Sequence, residues 1–157
     1  MTIRRATDDD AGELLRLIEA LAEFEHLPPP DAPAKKRFVA DMGLEHPRFE
    51  AYLAIVDGKS VGYAIVLETY SSFLALPTLY LEDLFVLPEF RGKGAGFALF
   101  KAVVGEARRR ECGRMEWVVL EWNTPAIGFY ERLGASRLHD WDYYRLTSVD
   151  FERILAL

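Results

Sequence analysis

Cysteine is nearly absent. The chain of 157 residues holds one, Cys112, so no intramolecular disulfide can staple it, and a lone thiol without a surrounding motif fits a small buried hydrophobe in a reducing compartment. Histidine is scarce as well: His26, His46 and His139 share no metal-ligand spacing, and no metal is expected. No apolar run approaches the ~18 residues that suggest a membrane span. The N-terminus runs from Met1-Thr2-Ile3-Arg4-Arg5 into Asp8-Asp9-Asp10, with no apolar core for a signal peptide. Positive charge is in deficit, with a formal net charge of −6, which argues against nucleic acid and anionic membranes as partners. Arg108-Arg109-Arg110 reads as a solvated helix end that complements the helix dipole. A cytoplasmic protein that prefers small cationic molecules is the expectation.

What is present is the balance of a globular chain: 50% apolar and 28% charged residues, long enough for a single domain over 1–157 with its own core. Thr7 and Asp10 read as a capping box before Leu14, Leu15, Leu17, Ile18, Leu21 and Ala22, which predicts a helix over residues 8–25. Pro28-Pro29-Pro30 ends it, and a shorter amphipathic segment follows over 33–43. Residues 51–56 and 60–67 are strand-like around Asp57-Gly58, a hairpin signal. Residues 70–78 read as loop and 79–87 as a central strand ending at Pro88. A helix is expected over 97–110, a strand over 115–120, a helix over 123–132 with Pro125 in its first turn and Gly134 as its stop, and a closing strand over 143–147. The sum is a mixed α/β domain in which the helix from Phe97 crosses between two parallel strands.

Between the central strand and that helix lies Arg91-Gly92-Lys93-Gly94-Ala95-Gly96. Such a turn leaves backbone N–H groups unpaired at the positive end of a helix dipole, and glycine lets an anion approach without a Cβ in the way. Gly92-Lys93-Gly94 lacks the Gly-Lys-Ser/Thr of a Walker A loop, and Phe97 stands where a dinucleotide fingerprint needs its third glycine. What remains is Arg-x-x-Gly-x-Gly, carried by Arg91, Gly94 and Gly96. That pattern resembles motif A of the GNAT superfamily of N-acetyltransferases.

The similarity extends to Tyr80-Leu81-Glu82-Asp83-Leu84-Phe85-Val86, to Glu121-Trp122-Asn123-x-Pro125 with Phe129-Tyr130-x-Arg132-x-Gly134-Ala135, and to the first helix through Phe24-Glu25. Together these blocks look like the diamine branch, which includes spermidine/spermine and thialysine N-acetyltransferases. The resemblance implies a GNAT-like mixed, mostly antiparallel central sheet with a splayed parallel strand pair, flanked by helices on both faces. It also implies acetyl-CoA as cofactor. Main-chain groups of Leu84, Phe85 and Val86 would pair with pantetheine, and Arg91, Gly92, Lys93, Gly94, Ala95, Gly96 and Phe97 would hold the pyrophosphate. Asn123, Pro125, Ala126, Tyr130 and Arg132 would contact the cofactor's other side.

A primary amine with a pKa near 10.4 needs roughly 4–5 kcal/mol to reach its nucleophilic form at neutral pH, so a base is required nearby. The resemblance assigns that base to Glu82 and the general acid for the leaving thiolate to Tyr130. Strand alternation sends Glu82 and its neighbour Asp83 to opposite faces. Phe24, Glu25, Glu82, Asp83, Asp142 and Tyr144 match positions that line the acceptor site. Asp142 stands where the family carries Glu, Tyr144 where it carries Trp, and Leu133 where the polyamine enzymes carry a basic residue, so acceptor length stays open. The resemblance implies a homodimer acting on a polyamine, diamine or lysine analogue. An aminoglycoside or protein amine as acceptor, or a non-catalytic acetyl-CoA-binding module, are the alternatives.

Overall fold

The computed structural model describes residues 1–157. Their contacts divide them into two compact units, Met1–Val118 and Val119–Leu157. The first unit holds β1 (Thr2–Arg5), α1 (Ala11–Glu25), α2 (Ala32–Met42), β2 (Glu50–Val56), β3 (Lys59–Ser71), β4 (Leu76–Val86), α3 (Ala95–Arg109) and β5 (Arg114–Glu116). The strands lie in chain order, antiparallel from β1 to β4, with β4 and β5 parallel across the α3 crossover.

Local chemistry explains where the elements begin and turn. The Asp10 carboxylate accepts from the Thr7 amide at 2.8 Å and is held by Arg4 at 2.7 Å, which fixes the chain's entry into α1. His26, in the left-handed region at φ 57°, closes α1 ahead of the prolines. Asp31 caps α2 by accepting from the Ala34 amide at 2.8 Å. Asp57 and Gly58 both have positive φ, 50° and 76°, as the tight turn between β2 and β3 demands.

Two helices seal opposite faces of the sheet. Ala11, Leu14 and Leu17 of α1 pack with Leu53, Tyr63, Ile65 and Phe85. The alternate strand residues, Ala64 and Val66 among them, are buried on the side of α3, whose Leu99, Phe100 and Val103 are buried in turn. Leu14 and Leu17 are both 0% exposed, and each such burial stabilises by about 1.5–3 kcal/mol.

Several boundaries differ from the sequence expectation. The segment read as loop over 70–78 is mostly hairpin, since Thr69 pairs with Thr78, Tyr70 with Pro77 and Ser71 with Leu76. Pro77 fits because it lies at the start of β4, where a missing N–H matters least. The strand expected over 115–120 is limited to Arg114–Glu116, paired with Thr78, Leu79 and Tyr80. Pairing with β4 ends at Tyr80–Glu116, and residues 117–120 do not follow the edge of β4 that continues beyond Tyr80.

The second unit contains α4 (Thr124–Arg132) and α5 (Ser148–Leu155) and no strand. Asn123 caps α4 through Oδ1, which accepts from the Ala126 amide at 3.3 Å. Gly134, at φ 87°, terminates it, with the Ala135 amide donating back to the Tyr130 carbonyl at 3.1 Å. The closing strand expected over 143–147 is not formed. Tyr143 and Tyr144 are 70% and 88% exposed in a segment without a pairing partner, and Thr147 opens α5 instead, its amide donating to Asp150 at 3.3 Å.

Candidate active site

The inner strand β4 supplies two features to one place: an unpaired edge and a cluster of carboxylates. Its edge toward β5 is paired at Thr78–Tyr80 and carries no strand from Leu81 to Val86. The parallel pair β4–β5 is thus joined at one end only. The opposite edge stays bonded to β3 through the Gly62–Val86 pair. That pair is close: a Cβ at Gly62 would lie 2.7 Å from the Phe85 carbonyl oxygen, so only glycine fits.

The glycine loop follows directly. Gly92 and Gly94 have φ of 73° and 87°, and a Cβ at either would meet no atom within 4 Å. Gly94 is the residue before α3, and the amides of residues 92–97 donate to no atom of the protein, the first amide to do so being Ala98, which bonds the Gly94 carbonyl at 2.9 Å. Free N–H groups, a helix N-terminus and space above them make an anion cradle. The chemistry of this loop suits a diphosphate, and the open edge beside it offers unpaired main-chain groups. Lys93 turns back to the Glu89 carbonyl at 3.1 Å. Arg91 is also folded inward: its Nε donates to the Val86 carbonyl at 2.8 Å, and its guanidinium lies 4.3 Å from the centroid of the Phe24 ring and 5.4 Å from that of Phe85.

Three carboxylates gather on β4 and α1. The β3–β4 register passes from Ile65–Asp83 to Val66–Leu81, leaving Glu82 as the extra residue of a bulge. Regular alternation is interrupted there: Glu82 is exposed and Asp83 half-buried, and both Glu82 and Glu25 act on the Asp83 carboxyl. Burial, with added repulsion from Glu82 and Glu25, pushes the Asp83 carboxyl up to about 6, while the Tyr63 hydroxyl, donating at 3.1 Å, pulls it down. Burial likewise raises Glu25. Glu82 is solvent-exposed, and Phe24 is tilted against Phe85 at 6.2 Å. Neither the bulge nor Tyr63 was visible as a site feature in the sequence.

The remaining candidates lie in the second unit. Tyr130 is partly buried, edge-on to Phe129 at 5.2 Å, and desolvation pushes its phenol up to about 12. Arg132 lies along α4, its Nη1 3.3 Å from where a Cβ on Gly128 would stand. Pro125 and Ala126 form the first turn behind the Asn123 cap. Asp142 and Tyr144 are exposed in the irregular segment.

A model described as the acetyltransferase (GNAT) family matches residues 14–135. The chain belongs to that family. This N-acetyltransferase is 35% identical over 144 residues to the thialysine N-epsilon-acetyltransferase of Mus musculus, covering 87% of the chain and 84% of the relative. It is 38% identical over 109 residues to an L-ornithine N5-acetyltransferase of Arabidopsis thaliana, a match spanning 68% of the chain and 48% of that protein. Among solved structures, a probable acetyltransferase superposes with a TM-score of 0.81 at 22% identity, covering 94% of this chain and 97% of that one. The mixed sheet with its parallel β4–β5 pair is thus the family fold. No helix of the acetyltransferase is long and apolar enough to cross a membrane.

Proposed function

We propose that this acetyltransferase moves the acetyl group of acetyl-CoA to a primary amine of a small cationic acceptor, a lysine analogue, diamine or polyamine, by direct attack in a ternary complex. The observation that carries the reading is the juxtaposition on β4 of an open edge, a loop of free amides and a carboxylate cluster. Loop residues 92–97 would receive the diphosphate, Arg91 being turned inward with its amide on the Pro88 carbonyl; main-chain groups of Leu84 to Val86 would take the pantetheine amides, and Asn123, Pro125, Ala126, Tyr130 and Arg132 the cofactor's far side. Bound acetyl-CoA supplies an activated thioester.

The chain's own residues then govern protons and placement. Glu82, exposed on its bulge, takes the ammonium proton, directly or through a water, and so lifts the roughly 4–5 kcal/mol handicap of a protonated amine. Asp83 and Glu25 attract the acceptor's positive charge. Tyr130 retains the proton on Oη at neutral pH, since its phenol is raised to about 12, and offers it to the departing sulfur. Holding amine and thioester side by side supplies much of the remaining acceleration.

A lysine-type or diamine acceptor is favoured because the relatives named above act, by their names, on thialysine and ornithine. Thiol release from acetyl-CoA, measured across thialysine, lysine, ornithine, putrescine and spermidine, tests the reading. Turnover with at least one is expected. Activity only with an aminoglycoside or protein amine would move the acceptor class, and tight acetyl-CoA binding with no turnover would make the protein a binding module. A cytoplasmic homodimer completes the reading: Trp141 and Tyr143, 75% and 70% exposed, offer apolar surface for a second copy, and light scattering measures the mass.

A further inference from the structure

We propose that Tyr63 is a positioning residue of the amine site, its phenol fixing Asp83 in place and in its charged form so that the acceptor meets a second carboxylate on β4 beside Glu82. The consequence for acetylation rests on the function proposed above; the hydrogen bond does not.

Tyr63 is 0% exposed. It stands opposite Phe85 in the β3–β4 register, while Asp83 stands opposite Ile65, so the phenol reaches diagonally along one face of the sheet. Its ring is held by Phe85 at 6.3 Å and by the α1 cluster around Leu14 and Leu17. A buried phenol hydroxyl requires a partner, and the one it finds is the Asp83 Oδ2 at 3.1 Å. The groups that face Asp83 are otherwise acidic: Glu82 from its own strand and Glu25 from α1. Arg91 is not among the groups that act on Asp83; its guanidinium lies over the Phe24 and Phe85 rings and its Nε donates to the Val86 carbonyl. The Tyr63 hydroxyl is therefore the donor that opposes burial and repulsion at Asp83. It stays neutral itself, since burial and the three carboxylates drive its own ionisation far upward.

The bulge at Glu82 makes this arrangement useful. Glu82 is turned out to solvent and to the acceptor, whereas Asp83 stays partly buried and titrates at about 6. A change at Tyr63 should then alter recognition of the acceptor's charge through Asp83, leaving the cofactor loop untouched.

The test follows the Asp83 carboxyl carbon by NMR through a pH titration of the cofactor-free protein, beside the pH profile of kcat/KM for the best acceptor. In Tyr63→Phe the carboxyl midpoint should rise by about one pH unit, and the acid limb of kcat/KM should rise with it. At pH 6 kcat/KM should fall roughly five-fold, with KM for acetyl-CoA unchanged. In an Asp83→Asn background the same Tyr63→Phe change should cause no further loss. An unmoved midpoint, or a loss that persists without the Asp83 charge, overturns the proposal. If Tyr63→Phe does not fold, replacing Tyr63 by 3-fluorotyrosine, a stronger donor of similar shape, should lower the midpoint, and an unmoved one again overturns it. Should the parent acetylate no amine, the function fails while the carboxyl titration still decides the role of Tyr63.

Discussion

Gly94→Ala separates the backbone demand of the glycine loop from its proposed work on the cofactor. Gly94 has φ 87° with no atom within 4 Å of an added Cβ, so the fold bears only the left-handed conformation of an alanine, about 1–2 kcal/mol. For a chain of this length each kcal/mol lowers Tm by roughly 2–4 °C. Gly58 is the control: its φ is 76°, it too has no neighbour within 4 Å, and it sits in the β2–β3 turn. Gly58→Ala should lower Tm by a similar amount. The two variants should part in calorimetric titration with CoA. An added methyl above the free amides of residues 92–97 displaces one or two charge-assisted hydrogen bonds, each worth about 1.5–3 kcal/mol, which weakens binding ~10–100-fold or more. Gly58→Ala should bind as the parent does. Equal Kd values in Gly94→Ala and Gly58→Ala would refute the assignment of the diphosphate to this loop.

Other perturbations address the chemistry and the scaffold. Glu82→Gln should reduce kcat by about 10²–10³-fold at pH 7 and recover part of it at higher pH, where the acceptor is already deprotonated; a pH-independent deficit would deny Glu82 the role of base. Tyr130→Phe should slow single-turnover acetyl transfer by about 10²-fold with the Kd for CoA little changed, and an unaltered rate would remove Tyr130 from proton delivery. Glu106, bonded to Arg109 and Arg110 at 2.5 and 2.7 Å, has its carboxyl lowered to about 2, chiefly by the Arg109 hydrogen bond. A depressed folded-state value means stability present above the unfolded pKa near 4.3 and lost as pH falls toward 2, on the order of 2–3 kcal/mol in all. Glu106→Gln should therefore lower the urea midpoint at pH 7 and flatten its decline between pH 5 and 2.

The parts of the molecule legible in the sequence are those set by neighbours in the chain. Asp10 accepts from the Thr7 amide three residues back, Asp57-Gly58 makes its turn with two positive φ values, Asn123 caps α4, and Gly92 and Gly94 adopt the left-handed conformations that glycine permits, while Gly96 lies in the first turn of α3. Features set by distant partners were hidden. The short β1, with Arg4 and Arg5 in its four residues, gains its structure from pairing with β2 some fifty positions away. β5 stops at Glu116 although the edge of β4 continues beyond it, and residues 143–147 form no strand; alternation along the chain reports neither where two strands part nor whether a segment finds a ladder. At the candidate site the residue types in 80–86 and 91–97 were readable from motif spacing. The bulge that re-aims Glu82, and the phenol that crosses from β3 to Asp83, depend on register between strands and leave no trace in local pattern.

The most direct test is an amide NMR titration of the parent protein with CoA. The N–H signals of residues 92–97, free of partners within the protein, should shift downfield together and saturate with one Kd, while Asp57 and Gly58 stay in place. Saturable CoA binding that leaves residues 92–97 unmoved, or no binding at all, would contradict the cradle on which the proposed acetyl transfer depends.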